Sequence, residues 1–327
     1  MSRQMQTVEC VQFDTFNTIS ADCDARILSE AAELCGDFDR LLSKTVEGSD
    51  VWRINHAQGT TTQVSVHTLR ILACAEAVRK ASGGAFNVAL GRLTALWRFT
   101  DGSARIPEAD DLAAAVAASD ASRIHLAPAP GSAARPAIGE HLLGDTFSPT
   151  AGSVIVPPEM NVDLGGIAKG YIADRVADFL RANGVRRALL NFGGNVVTVG
   201  SKGDGSQWNM GLQSPWGEHG KDIWATMEVP PDSTAVTSAA YERHFEVDGR
   251  RYHHILDPRT GLPCETDVEA VTLVGRDSML CDALATAAFV MGSEPGYRLV
   301  GGFGVGAIVL RRDGTALSSP EIPWSQA

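Results

Sequence analysis

Asn161-Val-Asp-Leu-Gly-Gly-Ile-Ala-Lys-Gly-Tyr-Ile-Ala-Asp174 is the stretch around which the rest of the chain is organised. It reads as a short extended segment ending at Asp163, a glycine pair at Gly165 and Gly166, and then a helix running to about Asn183. Glycines just before a helix let backbone approach a ligand closely, and the first free N–H groups of the helix attract anions. Asp163 and Lys169 add one charge of each sign at the same turn. That combination suits a ligand carrying both hydroxyl or amide groups and phosphates. An ordinarily capped strand–turn–helix connection fits the same pattern, so the rest of the chain decides.

Downstream, Ile167, Ala168, Tyr171, Ile172, Val176, Phe179 and Leu180 form the inward stripe of that helix, which Asn183-Gly184 ends. A strand from Arg187 to Leu190 then delivers Asn191-Phe-Gly-Gly-Asn195, a second polar–glycine turn, before a strand from Val196 to Val199. Two Gly-Gly turns around one helix predict two close-approach backbone sites near a common edge, where ligands of α/β layers gather.

Upstream, residues 8–20 alternate as a single opening strand would. Ile27, Leu28, Ala31, Leu34, Phe38, Leu41 and Leu42 mark an amphipathic helix over 24–44. Residues 45–55 read as a loop offering Thr45 and Asn55 as ligand contacts or caps. Ser65 caps a second helix that stops at Gly83-Gly84, and an apolar turn-and-helix piece follows over 85–99 with Asn87 as its early polar side chain. Pro107 opens a third helix to residue 119, and 120–150, rich in Ala, Pro, Gly and Ser, reads as short strands with a surface excursion. The second half is mainly β, with a hairpin over 245–252 turning at Asp248-Gly249.

Composition bounds the function. A chain of 327 residues with 44% apolar and 20% charged content is an ordinary globular protein, read here as one compact domain over 1–327. The net charge of −11 opposes a general role on nucleic acid or anionic membrane. No apolar run approaches the roughly 20 residues of a membrane span, and MSRQMQTVECVQF lacks the apolar segment of a secretory signal. Six scattered cysteines without a CxxC pair argue against a zinc or disulfide framework. A cytoplasmic location is the expectation.

Two further places carry chemistry. His254 sits at a strand end just before the turn Asp257-Pro-Arg-Thr260, held yet accessible, although a lone histidine is more often structural. Asp282 and Thr286, four apart, share one face of an otherwise apolar helix. They are either part of an oxygen ligand set for Mg²⁺ or, for Asp282, a carboxylate favoured by its own helix N-terminus.

GGAFNVALGRLTALW at 83–97, VDLGGIAKGYIADRVADFL at 162–180, NFGGN at 191–195, TSAAYERHF at 237–245, HHILDPRTGLP at 253–263 and CDALATAAFVMG at 281–292 are co-linear. In order and spacing they resemble the ApbE family of FAD:protein FMN transferases, over about residues 10–315. The resemblance implies an α+β fold with mixed or antiparallel sheets layered with helices, the T-fold-like ApbE architecture. It implies an enzyme that binds FAD with Mg²⁺, or Mn²⁺ in its place, and transfers FMN to a Ser or Thr hydroxyl of an acceptor flavoprotein, releasing AMP. Asp282 and Thr286 match the metal ligands, and Gly166 the residue lending a backbone carbonyl to the same metal. Asp163, Lys169, Ala85, Phe86 and Asn87 match FAD contacts, and Thr45 falls near another. His254 matches the histidine that takes the acceptor's proton.

The residue types agree with that chemistry, since such transfer needs charge neutralisation and positioning, and a histidine with a pKa of about 6.5 serves as a base near neutrality. Departures are Asn87 where the family often has Asp, Ala239 where it has Gly, and Thr45 near an expected aromatic. They keep two alternatives in view: a metal-dependent FAD pyrophosphatase giving FMN and AMP, and a non-catalytic FAD-binding protein. Many relatives are exported lipoproteins; the missing signal predicts an acceptor in, or facing, the cytoplasm.

Overall fold

A computed structural model describes residues 4–99, 103–128, 152–218 and 220–327. The chain begins with a hairpin where the alternation predicts one strand: β1 (Gln6–Gln12) and β2 (Thr15–Ala21) pair antiparallel. Phe13 and Asp14 turn it with φ of 57° and 54°, a left-handed pair without glycine and so without the usual sequence signal. Helix α1 (Ala25–Leu42) follows as expected. A short helix, α2 (Asp50–His56), replaces the expected loop; Ser49 accepts a hydrogen bond from the Trp52 N–H and caps it.

Strand β3 (Thr62–Val64) leads to α3 (Val66–Ala81), capped by Ser65. Then come α4 (Gly91–Trp97) and α5 (Ala109–Ala117); the latter starts two residues after Pro107. Strands β4 (His125–Pro128) and β5 (Gly152–Ile155) complete a three-stranded sheet in the order β3-β5-β4. The excursion expected between those strands lies outside the described residues.

The remainder runs α6 (Ala168–Ala182), β6 (Ala188–Phe192), β7 (Asn195–Val199), β8 (Trp208–Gln213), β9 (Ile223–Val229) and β10 (Thr234–Ala239). It continues with β11 (His244–Val247), β12 (Arg250–His253), β13 (Val268–Gly275), α7 (Ser278–Met291), α8 (Ser293–Gly302), β14 (Gly306–Arg311), β15 (Ala316–Ser318) and β16 (Trp324–Gln326). Among the described residues, eight strands form one antiparallel sheet in the order β1-β2-β6-β7-β10-β13-β14-β15.

The period-2 alternation of its central strands builds two cores. Val236, Val271 and Val309 face a helix layer of α1, α3, α6 and α7. Their neighbours Ala235, Ala270 and Ile308 face a second small sheet in the order β16-β9-β8. Ala239 belongs to this second core, so its methyl packs in ordinary strand backbone. The fold is α+β, as the motifs implied. A third cluster of Leu93, Trp97, Leu112 and Leu256 pins α4 and α5 against the segment after His254, where Trp97 Nε1 donates to the Gly261 carbonyl at 2.8 Å.

Candidate active site

The site grows from the crossing of α6 and α7. A Cβ on Gly170 would lie 2.1 Å from the Ser278 carbonyl oxygen, so only glycine permits this approach. At that distance each helix caps the other. Asp282 of α7 accepts the Gly170 N–H at 3.0 Å, while Asp174 of α6 accepts the Ser278 and Met279 N–H groups at 3.1 and 3.0 Å. Thus a first-turn amide of α6, expected to be free for an anion, is occupied by Asp282. The carboxylate itself sits at a neighbour's N-terminus instead of serving only its own.

Asp282 is 3% exposed, and its Oδ2 is committed to the cap. Its Oδ1 lies 3.6 Å from Lys169 Nζ, which also donates to the Gly165 carbonyl at 3.1 Å. Thr286 donates to the Asp282 backbone carbonyl at 3.3 Å. An ideal Cβ at Gly166 would touch the Phe86 ring at 3.3 Å and Thr286 Oγ1 at 3.5 Å. Gly166, Lys169, Asp282, Thr286 and Phe86 therefore converge on one corner. No cluster of three or more His, Cys, Asp or Glu side chains suited to a metal occurs among the described residues. A cation here would meet one carboxylate, one hydroxyl and one carbonyl, an all-oxygen set that fits a small hard ion retaining other ligands.

Asp163 is anchored rather than free. Oδ1 accepts the Gly165 N–H at 2.9 Å; Oδ2 accepts Thr94 Oγ1 at 2.7 Å and Lys44 Nζ at 2.6 Å. Burial, the largest single influence, pushes its carboxyl up, but Lys44, Thr94 and the Gly165 N–H together hold it below the usual range. Both groups of the Asn55 side chain clamp the Val162 backbone, at 2.9 and 2.7 Å, so Asn55 positions this segment. The Asp163 N–H donates to the Val88 carbonyl at 2.8 Å, laying the 85–88 segment beside the turn.

Of that segment, Phe86 is buried against the Gly166 turn and Ala85 packs at the edge of the main core. Asn87 has a clamping job: its Nδ2 donates to the Ser119 carbonyl at 2.7 Å and its Oδ1 accepts the Ala89 N–H at 2.8 Å. A carboxylate could not make the first bond. Thr45 is exposed and hydrogen-bonded to Ser43, one residue from Lys44. Lys44 and Thr94 carry no local signal in the sequence because they meet Asp163 from 119 and 69 residues away.

Gly193 and Gly194 have φ of 56° and 90° and simply reverse the chain between β6 and β7.

His254 follows β12, near enough to Lys169 for that residue's charge to act on its ring. The Arg243 carbonyl lies 3.0 Å from its backbone N–H and 3.2 Å from Nδ1. A carbonyl can only accept, so Nδ1 carries the proton and Nε2 keeps its lone pair. Burial first, then the positive charges of Arg243 and, further off, Lys169, pull the His254 pKa down to about 3. The ring is therefore neutral throughout the physiological range, and a weaker base than the histidine with a pKa of about 6.5 that the sequence led us to expect. Arg243 in turn donates to the Asp14 carbonyl at 2.9 Å, tying the β1–β2 turn to the segment that holds His254. The expected turn is present, with the Thr260 and Gly261 N–H groups on the Asp257 carbonyl and Arg259 paired to its carboxylate. Behind it His253 is buried, edge-on to Phe289, its pKa pushed down to about 4.

The chain resembles known proteins over most of its length. The family model of the ApbE family matches residues 7–309. The chain belongs to the ApbE family. An FAD:protein FMN transferase of Klebsiella pneumoniae (strain 342) is 36% identical over 274 residues, 84% of this chain and 78% of that protein. One from Treponema pallidum (strain Nichols) is 35% identical over 296 residues, 88% and 77% of the two chains. Among solved structures, the ApbE protein of Thermotoga maritima superposes with a TM-score of 0.80 at 28% identity, covering 97% of each chain. The flavin transferase ApbE of Vibrio cholerae gives 0.77 at 26%, covering 97% and 98%. No helix among the described residues is long and apolar enough to cross a membrane.

Proposed function

We propose that this protein transfers FMN from FAD to a Ser or Thr hydroxyl of an acceptor protein, with Mg²⁺ or Mn²⁺ bound, and releases AMP. The observation that carries it is the convergence of Gly166, Lys169, Asp282 and Thr286 on one corner, in a chain whose ApbE relatives bear the name of this transferase. In this reading the Gly166 carbonyl, Asp282 Oδ1 and Thr286 Oγ1 hold the cation. When bound, the cation neutralises charge on the diphosphate and polarises the phosphorus under attack.

Lys169 places a second positive charge on the same phosphates. His254 Nε2 takes the proton of the acceptor hydroxyl as its oxygen bonds to the FMN phosphorus. The bond from that phosphorus to the bridging oxygen breaks, and AMP departs with the oxygen. Phe86 fills the corner beside Gly166 and excludes water. We take residues 1–327 as one transferase domain. We place the acceptor in the cytoplasm, in keeping with six cysteines that are all free thiols, five of them buried.

Incubation with FAD, Mg²⁺ and cell extract or a Ser/Thr acceptor peptide tests the proposal. AMP and covalently flavinylated protein should appear together. AMP and free FMN without labelled protein would turn the reading to an FAD pyrophosphatase, with water activated by the same Nε2. Stoichiometric FAD binding without AMP would turn it to a binding protein.

A further inference from the structure

Lys44 is the one member of the Lys44–Asp163–Thr94 cluster that reaches well into solvent, at 41% side-chain exposure against 16% for Asp163. Its ammonium group has three donors. Two are accounted for, by Asp163 Oδ2 at 2.6 Å and Thr94 Oγ1 at 3.1 Å. The third remains. Asp163 does not depend on Lys44 alone, because Thr94 and the Gly165 N–H also satisfy it.

The placement matters because the same turn is flanked on its other side by Lys169, on the Gly165 carbonyl and 3.6 Å from Asp282. Lys44 and Lys169 thus bracket Gly165, one through Asp163 and one through its carbonyl. The charges of the two lysines cancel those of Asp163 and Asp282. Adding a divalent cation leaves a net double positive charge, and a dinucleotide diphosphate brings one negative charge on each phosphate.

We propose that Lys44 is a substrate-binding residue that donates its remaining N–H to the diphosphate of the dinucleotide, and that Asp163 is the positioning residue that holds it there. The assignment rests on FAD being the substrate. Anchoring the long side chain before the ligand arrives removes part of the rotamer entropy that binding would otherwise cost. It also gives Asp163 a role through Lys44 and the Gly165 turn, its two carboxylate oxygens both being engaged already.

Equilibrium titration of the full-length protein with FAD, ADP, adenosine and riboflavin, followed by flavin fluorescence or calorimetry with and without Mg²⁺, tests this without requiring turnover. Lys44→Met should weaken FAD and ADP by about tenfold, the scale of one charge-assisted hydrogen bond, and leave adenosine and riboflavin within about twofold. The Lys44→Met/Asp163→Asn variant, which buries no unpaired carboxylate, should show the same selectivity with an unshifted melting midpoint. FAD and ADP binding equal to wild type in either variant overturns the assignment, as does equal weakening of all four ligands. A wild-type protein that bound no FAD would overturn the transferase reading along with it. Normal FAD binding by Lys44→Met, in a protein whose wild type flavinylates, overturns only the role of Lys44.

Discussion

Two Gly-Gly dipeptides flank α6, and they are glycine for opposite reasons. At Gly193-Gly194 both residues have left-handed φ, 56° and 90°, and the pair turns β6 into β7 with the Gly194 N–H held by Asn191 Oδ1 at 3.1 Å. Conformation demands glycine there. At Gly165-Gly166 neither residue is left-handed, and at Gly166 the constraint is space, with Phe86 and Thr286 where a side chain would begin. The first turn is architecture; the second is a gap kept open beside a candidate ligand site. A dipeptide pattern alone cannot separate them.

Substitutions can break or sharpen this contrast. The largest effect belongs to Gly170, next along from the spatial turn. Gly170→Ala puts a methyl 2.1 Å from a backbone oxygen and should cost at least about 3 kcal/mol by urea unfolding, or prevent folding. A stability within 1 kcal/mol of wild type would refute the tight α6–α7 crossing. Next comes Gly193→Ala, which combines a left-handed φ with a Cβ 2.6 Å from Thr15 Oγ1. It should lose about 2 kcal/mol of stability and keep FAD affinity.

Gly166→Ala should show the converse: under about 1 kcal/mol lost, since its contacts at 3.3–3.5 Å can yield, but about tenfold weaker FAD binding with Mg²⁺. If the two alanine variants behaved alike, the contrast would fail.

The smallest expected effect is one of pH. With its pKa at about 3, His254 stays neutral as pH falls from 7 to 5.5, so the transfer rate should change less than about twofold. An unperturbed histidine would lose about tenfold over that interval. Stability should behave differently. His253 and His254 resist protonation when folded but accept protons near pH 6.5 when unfolded, so stability is greatest above that pH and erodes toward pH 4. An acid limb in the rate near pH 6.5, in protein that remains folded, would contradict the lowered pKa of His254.

Much of this was legible in the sequence because it is periodic or local. The stripes of α1, α3 and α6, the Ser65 cap, the Asp248-Gly249 hairpin and the His254 turn all declare themselves within a few residues. What stayed hidden lacks such a signal. The Phe13-Asp14 turn has no glycine, α2 is only seven residues long, α8 contains Gly and Pro, and β16 joins β9 from the far end of the chain. At the site, the motifs delivered Asp163, Gly166, Lys169, Asp282 and Thr286, yet not what joins them. Reciprocal capping between Asp174 and Asp282 and the reach of Lys44 to Asp163 exist only after folding. Asn87 and Asn55, polar and suitably placed along the chain, turn out to clamp backbone.

Asp282 joins the architecture to the proposed chemistry, since one oxygen caps α6 and the other lies 3.6 Å from Lys169 Nζ. Asp282→Asn separates the two jobs, because an amide oxygen can still accept the Gly170 N–H while the charge is gone. The decisive measurement is therefore AMP release and acceptor flavinylation by this variant across a Mg²⁺ titration, alongside its melting midpoint. The midpoint should stay within about 3 °C of wild type, and transfer should fall by at least about 10³-fold. Wild-type transfer with an unchanged Mg²⁺ dependence in a folded Asp282→Asn protein would contradict a cation held by Asp282.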